Sequence, residues 1–117
     1  MSIYSWLSMK KLDSLQGSLD LLVLKILSRR PRTHGYGIMA AVKEHSDDLL
    51  HIEEGSLYPA LYRMEEAGWI HAEWIKKDTG RRARVYELTA EGKKQLGIEE
   101  LRWHAATSAI NQVLRTV

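Results

Sequence analysis

The first two segments of the chain have apolar positions spaced as in helices. Residues 13–30 are apolar at seven of the nine positions in 19–27, which predicts a helix buried on most of its sides. In a chain of this length, we expect such a helix to share a core with a second subunit. Residues 33–48 predict a second helix, which begins at Thr33 or Gly35.

The third segment, residues 52–68, combines an apolar stripe with an unusual polar face. Leu57, Leu61 and Met64 recur at spacings of four and three, which places them on one side of a helix that ends at Gly68. The other side carries hydroxyl, phenol and guanidinium groups around one proline, and such donors can contact phosphates or base edges. These residues are Ser56, Tyr58, Pro59, Tyr62 and Arg63. The pattern indicates a DNA recognition helix, and the alternative is an amphipathic helix with a purely structural role.

Residues 69–88 change to the alternating pattern of two β-strands around a turn, and we call this hairpin the wing. Asp78, Thr79 and Gly80 form the turn, because glycine readily adopts the positive φ that tight turns require. Five cations and one acid lie within nine residues around it. The cations are Lys76, Lys77, Arg81, Arg82 and Arg84. This charge predicts contacts with DNA phosphates, and the alternative is a solvated tip whose cations prevent edge pairing.

Residues 89–117 predict one long helix with Thr89 as its N-cap. Its apolar positions recur at spacings of seven, three, four, three and four, close to those of a coiled-coil seam. They are Leu96, Trp103, Ala106, Ile110, Val113 and Val117. Glu99 interrupts this stripe. Since no later segment of this sequence can cover the stripe, we expect it to pack against a second copy, together with Leu19 and Leu22 of the first helix.

Composition and charge exclude several classes of function. Hydrophobic residues make up 44% of the 117 residues, and cysteine is absent, which excludes disulfides and thiolate metal sites. The five histidines lack paired ligand spacing, and we find neither a nucleophile motif nor a glycine-rich phosphate loop. We therefore expect no metal, no cofactor and no enzymatic activity. No apolar run reaches the length of a membrane span and the N terminus lacks a basic signal region, so we expect a cytoplasmic protein.

Three helices followed by a basic hairpin are the elements of a winged helix-turn-helix. The sequence resembles the PadR family of bacterial transcriptional regulators, in particular its short members of the acidobacterial type, over roughly residues 11–117. The matching motifs are L-Q-G-S-L-D-L-L-V-L-K-I-L at 15–27, H-G-Y-G-I at 34–38, E-E-G-S-L-Y-P-A-L at 53–61, G-W-I-H-A-E-W at 68–74, R-A-R-V-Y-E-L-T-A-E-G at 82–92 and R-W at 102–103.

The resemblance implies a homodimeric repressor that binds double-stranded DNA through its third helix and its wing. The residues that match the DNA face of the family are Tyr36, Ser56, Tyr58 and Pro59, with Tyr36 at a phosphate. Trp103 matches a tryptophan on the dimer helix, which in some relatives faces a cavity for flat aromatic effectors. We also expect the acidic ends of the third helix to pack against the cations of the wing or against the basic loop at residues 29–32.

Together these inferences predict a mainly α fold with a small β-hairpin. Residues 1–12 are expected to form an N-terminal extension, residues 13–88 the DNA-binding domain and residues 89–117 the dimerisation helix. Two-fold symmetry then requires a palindromic operator. A planar aromatic effector would stack on Trp103 near Glu99, whereas simple packing of two indoles is the alternative. The alternative function is a winged-helix module that binds proteins and not DNA.

Overall fold

The computed structural model describes residues 16–117 as four helices and a three-stranded antiparallel sheet. In chain order these are α1 (Gln16–Arg29), β1 (Thr33–His34), α2 (Gly35–His45), α3 (Glu54–Glu66), β2 (Ile70–Lys76), β3 (Arg82–Leu88) and α4 (Ala90–Thr116). The predicted mainly α fold with a winged helix-turn-helix and a long last helix is confirmed. The predicted N-terminal extension at residues 1–12 lies outside the described residues.

One hydrophobic core joins the helices to the sheet, and α1 lies at its centre. Val23 and Leu24 are fully buried between α2, α3, β3 and the beginning of α4. Leu19, which we expected at a dimer interface, also lies in this core and is only 4% exposed. Its burial therefore needs no second subunit. Leu22 is only half-buried and lies at the edge of the same core.

Helix α2 begins at the later of its two expected starts. Thr33 and His34 instead form β1, which pairs with β3 so that Thr33 lies opposite Tyr86. His34 also caps the helix, because its Nδ1 accepts a hydrogen bond from the backbone N–H of Gly37 at 3.0 Å. We did not predict this third strand, since two residues are too few to display an alternating pattern.

Gly68 closes helix α3 as predicted, two residues after the last helical residue. This glycine has a φ of +80°, and its N–H donates to the carbonyl of Glu65 at 3.0 Å. The next N–H, from Trp69, donates to the carbonyl of Met64 at 3.0 Å, which completes the usual glycine-terminated end of a helix. Pro59 lies inside α3 without ending it. The chain then passes directly into β2.

The wing is formed by β2 and β3, which pair from Ile70 opposite Leu88 to Lys76 opposite Arg82. Its turn contains Gly80 at a φ of +85°, as the turn sequence predicted. Strand β1 supports the wing only at its base, because its two residues pair no further out than Val85. The outer half of the wing is therefore a two-stranded ribbon.

Helix α4 begins at the predicted cap, since the hydroxyl oxygen of Thr89 accepts a hydrogen bond from the N–H of Gly92 at 3.0 Å. Its first turns pack on α1 and bury Leu96. In contrast, every residue from Leu101 to Val117 except Thr107 is exposed. Most of the helix thus extends beyond the core. Across residues 16–117, none of the helices has the length and apolar character that crossing a membrane requires.

Candidate nucleic-acid interface

The exposed side of α3 presents two tyrosines and a proline. Tyr58, Pro59 and Tyr62 are exposed, whereas Leu57 and Leu61 are buried in the core. The spacing of the buried residues fixes which side of the helix faces solvent, so this arrangement follows from the sequence. The exposed side of α3 therefore offers phenol groups on a rigid helix.

The start of α2 packs against this side of α3. The ring of Tyr58 lies so close to Gly35 that a Cβ atom on residue 35 would come within 2.8 Å of the Tyr58 Cζ. With any larger residue at position 35, the Tyr58 ring would have to shift. Tyr36 follows and is 65% exposed. A hydrogen bond to Glu54 at the start of α3, reinforced by the charge of that carboxylate, raises the pKa of Tyr36.

An open groove of about 410 Å³ separates these tyrosines from the wing. One wall is formed by Tyr36 and Tyr58. The wing contributes cations to the lining of this groove, including Lys77, Arg82 and Arg84. Five of the residues that we predicted to contact DNA therefore line one groove, although they come from three different elements.

The wing places an exposed tryptophan inside this groove. Trp74 is 55% exposed, and the guanidinium carbons of Arg82 and Arg84 lie 5.1 and 5.4 Å from its ring centre. Both distances fall within the range of cation–π contacts. The register explains the arrangement, because Trp74 lies opposite Arg84, and Arg82, two residues before Arg84 in β3, lies on the same face of the ribbon. We had not predicted a role for Trp74, since a tryptophan in an alternating strand is usually part of the core.

Arg63 has a different place from the one we expected. Its guanidinium donates hydrogen bonds of 2.8 and 2.6 Å to the two carboxylate oxygens of Asp20 on α1, and Asp20 is only 7% exposed. The hydrogen bond to Asp20 raises the pKa of Arg63. Releasing Arg63 would leave a buried carboxylate without its partner. The geometry thus revises the sequence interpretation, because Arg63 anchors α3 on α1.

Arg84 is also paired within the chain. Its Nη2 donates to both carboxylate oxygens of Glu65 in the last turn of α3, at 2.9 and 3.1 Å. For Glu65, this confirms the expectation that acids of the third helix pack against cations of the wing. By contrast, Lys76, Lys77 and Arg81 are exposed and form no ion pair within residues 16–117. Their charges are available to a polyanion.

Comparison with known proteins identifies the family. The profile of the transcriptional regulator PadR-like family matches residues 23–98. This chain belongs to the PadR family. A PadR family transcription regulator from Clostridium difficile is 34% identical with a TM-score of 0.69, over 82% of this chain and 97% of that one. A PadR family regulator from Eggerthella lenta is 29% identical with a TM-score of 0.76, over 92% and 88% of the two chains.

A transcriptional regulator from Clostridium thermocellum is also similar, with 29% identity and a TM-score of 0.78 over 86% of this chain and 96% of that one. The fold of this chain is thus shared with solved regulator structures. As a PadR family member, the chain is a DNA-binding transcriptional regulator, and the family consists of regulators, not enzymes.

The remaining residues of interest in this PadR protein lie on α4. Glu99 is buried, and its carboxylate accepts hydrogen bonds from Gln95 at 2.7 Å and from Arg102 at 3.2 Å. Trp103 lies one turn further on and is exposed. The other residues of the predicted stripe are exposed as well, namely Ala106, Ile110, Val113 and Val117. Only Leu96 of that stripe is buried within the single chain.

Proposed function

We propose that this PadR protein is a homodimeric transcriptional repressor that binds a palindromic operator in the cytoplasm. The observation that carries the proposal is the groove between α3 and the wing, where Tyr36 and Tyr58 face Lys77 and Arg82. Phenol, ammonium and guanidinium groups can donate hydrogen bonds to phosphates and base edges. All three types of group line this one groove.

In this proposal α3 enters the major groove of DNA and the wing follows the phosphate backbone. Ser56, Tyr58, Pro59 and Tyr62 lie on the side of α3 that meets base edges, and Tyr36 contacts a phosphate. The cations of the wing contact phosphates further along the duplex. They are Lys76, Lys77, Arg81 and Arg82, whereas Arg84 stays bound to Glu65. Arg63 is left out of the contacts because Asp20 occupies it.

The proposal of a dimer rests on the exposed apolar side of α4. Trp103, Ile110, Val113 and Val117 are exposed over the length of helix that extends beyond the core. A second copy related by two-fold symmetry would bury the same residues on both chains. Leu22, which is half-buried on α1, would also belong to this interface. Two α3 helices would then meet successive major grooves about 34 Å apart, which requires a palindromic site.

A planar aromatic effector would bind at Trp103 in the dimer. The supporting observation is an exposed indole beside Ala106, whose small side chain leaves room for a flat ring. Glu99 would attract a cationic effector less strongly than its charge alone suggests, because Arg102 and Gln95 already donate hydrogen bonds to its carboxylate. Quenching of fluorescence by planar aromatic cations in the wild type, but not in Trp103→Phe, would support this site. Unchanged quenching in Trp103→Phe would exclude it.

The DNA-binding proposal is tested by selecting duplexes from a random pool with the purified chain. We expect one enriched sequence with dyad symmetry. Enrichment of an asymmetric sequence would contradict the dimeric arrangement. Recovery of no enriched sequence would instead favour the alternative of a winged-helix module that binds proteins.

A further inference from the structure

Four side chains connect α3 to the outer half of the wing. Glu65 accepts hydrogen bonds from Arg84 at 2.9 and 3.1 Å, and Arg84 lies 5.4 Å from the ring centre of Trp74. The same ring is 5.1 Å from the guanidinium carbon of Arg82. The order of contacts is therefore Glu65, Arg84, Trp74, Arg82, running from the last turn of the helix towards the tip of the wing.

The contacts among these four side chains are important because few other contacts connect the outer half of the wing to the rest of the described chain. Strand β1 pairs with β3 only as far out as Val85, and Arg84 is the next residue. From Arg84 onward the ribbon has only two strands. On the other face of the ribbon, Arg32 binds Glu73 at 3.0 Å, so the wing is held from both sides near this point.

We propose that Glu65 is a positioning residue for DNA binding. It acts through Arg84 and Trp74 to fix the wing relative to α3, and it keeps Arg84 from binding phosphates of arbitrary DNA. Glu65 itself does not contact DNA. The inference rests on the proposed function, because it assumes that α3 and the wing bind one duplex together.

This role makes a prediction that a purely structural role does not make. Glu65→Gln keeps the size of the side chain and removes its charge, so Arg84 becomes free to bind a phosphate. Affinity for random-sequence DNA should then fall more steeply with salt, by about 0.9 in the slope of log affinity against log salt concentration. The ratio of operator to random-sequence affinity should fall roughly 1.5- to 5-fold, the range for a partly exposed ion pair.

Glu66→Gln is the matched control. Glu66 is the next residue of α3, is exposed and forms no ion pair within the described part of the chain, yet its substitution changes the net charge by the same amount. We expect Glu66→Gln to leave both the slope and the specificity ratio unchanged. Adding Arg84→Gln to Glu65→Gln should return the slope to the wild-type value.

The aromatic link is tested separately at Trp74. Trp74→Phe keeps a ring between the two arginines and should keep the wild-type specificity ratio, whereas Trp74→Leu should lower it as Glu65→Gln does. Thermal unfolding of each variant checks that the fold is retained.

The experiment uses the full chain, the selected operator and a random-sequence duplex. If the wild type binds the operator but Glu65→Gln behaves as Glu66→Gln does, the inference is wrong and the proposed function stands. If the wild type shows no preference for any duplex, the proposed function fails and the inference fails with it.

Discussion

The pair formed by Arg63 and Asp20 gives the sharpest test of how α3 is held. Asp20 is almost fully buried and Arg63 is partly exposed, with side-chain exposures of 9% and 39%. Arg63→Met keeps an apolar chain of similar length but leaves the carboxylate unpaired. Removing one partner of a fully buried pair costs about 3–5 kcal/mol. Because Arg63 is partly exposed to solvent, we expect a smaller loss of about 2 kcal/mol in the free energy of unfolding.

Chemical denaturation and calorimetry measure this loss. For a domain of this size, a loss of about 2 kcal/mol should lower the melting temperature by about 8 °C. Arg81→Met, which removes an exposed arginine that forms no ion pair within residues 16–117, should change the free energy of unfolding by less than about 0.5 kcal/mol. The double variant with Asp20→Asn should lose less than the two single variants added together, because the substitutions act on one interaction.

The same variant separates the structural role of Arg63 from the role that the sequence suggested. If Arg63 only anchors α3, Arg63→Met should leave the salt dependence of DNA binding unchanged at temperatures where it is folded. A stability loss below about 0.5 kcal/mol, together with a salt slope shallower by about 0.9, would refute our reasoning. That outcome would return Arg63 to the DNA contacts.

Three further predictions concern the dimer, the wing and the core. Ile110→Glu places a charge in the exposed apolar stripe of α4, so sedimentation should show a folded monomer in place of a dimer; a wild-type monomer at micromolar concentration would contradict the dimer. Arg81→Ala should weaken binding to all duplexes about equally and make the salt slope shallower by about 0.9, and an unchanged slope would argue against the wing. Burial raises the pKa of Tyr86 from its ordinary value of 10.0, so its contribution to stability is present below that pH and is lost as the pH rises through the higher value of the folded chain. Tyr86→Phe should therefore unfold less steeply in alkali than the wild type, and an identical alkaline transition would contradict this.

The elements that the sequence predicted are those with a strong local pattern. The stripe of Leu57, Leu61 and Met64 identified α3, and Gly68 identified its end. Thr89 likewise marked the start of α4. These features depend only on residues a few positions apart, so they can be recognised from the sequence alone. Strand β1 has no such pattern, because its pairing with β3 depends on residues about 50 positions away.

The candidate site was predicted less completely, because its geometry depends on contacts between elements. Arg63 follows Tyr58 by five residues, which puts it about 140° around the helix from that tyrosine. Ser56 lies farther still from Tyr58 around the helix, so this angle does not separate Arg63 from the other predicted contacts, and only the position of Asp20 shows where Arg63 binds. Trp74 belongs to the candidate site because Arg82 and Arg84 on β3 contact its ring. The register that pairs β2 with β3 cannot be predicted from the sequence of β2 alone.

The central claim is that DNA lies along the exposed side of α3 beside the wing. A photoreactive amino acid in place of Tyr62 tests this directly, with the same amino acid in place of Leu101 on α4 as the control. The two positions are similarly exposed, at 67% and 73%, but only Tyr62 belongs to the proposed interface. We predict efficient crosslinking to the operator from residue 62 and none from residue 101. Operator binding without a crosslink from residue 62, or equal crosslinking from both positions, would contradict the account.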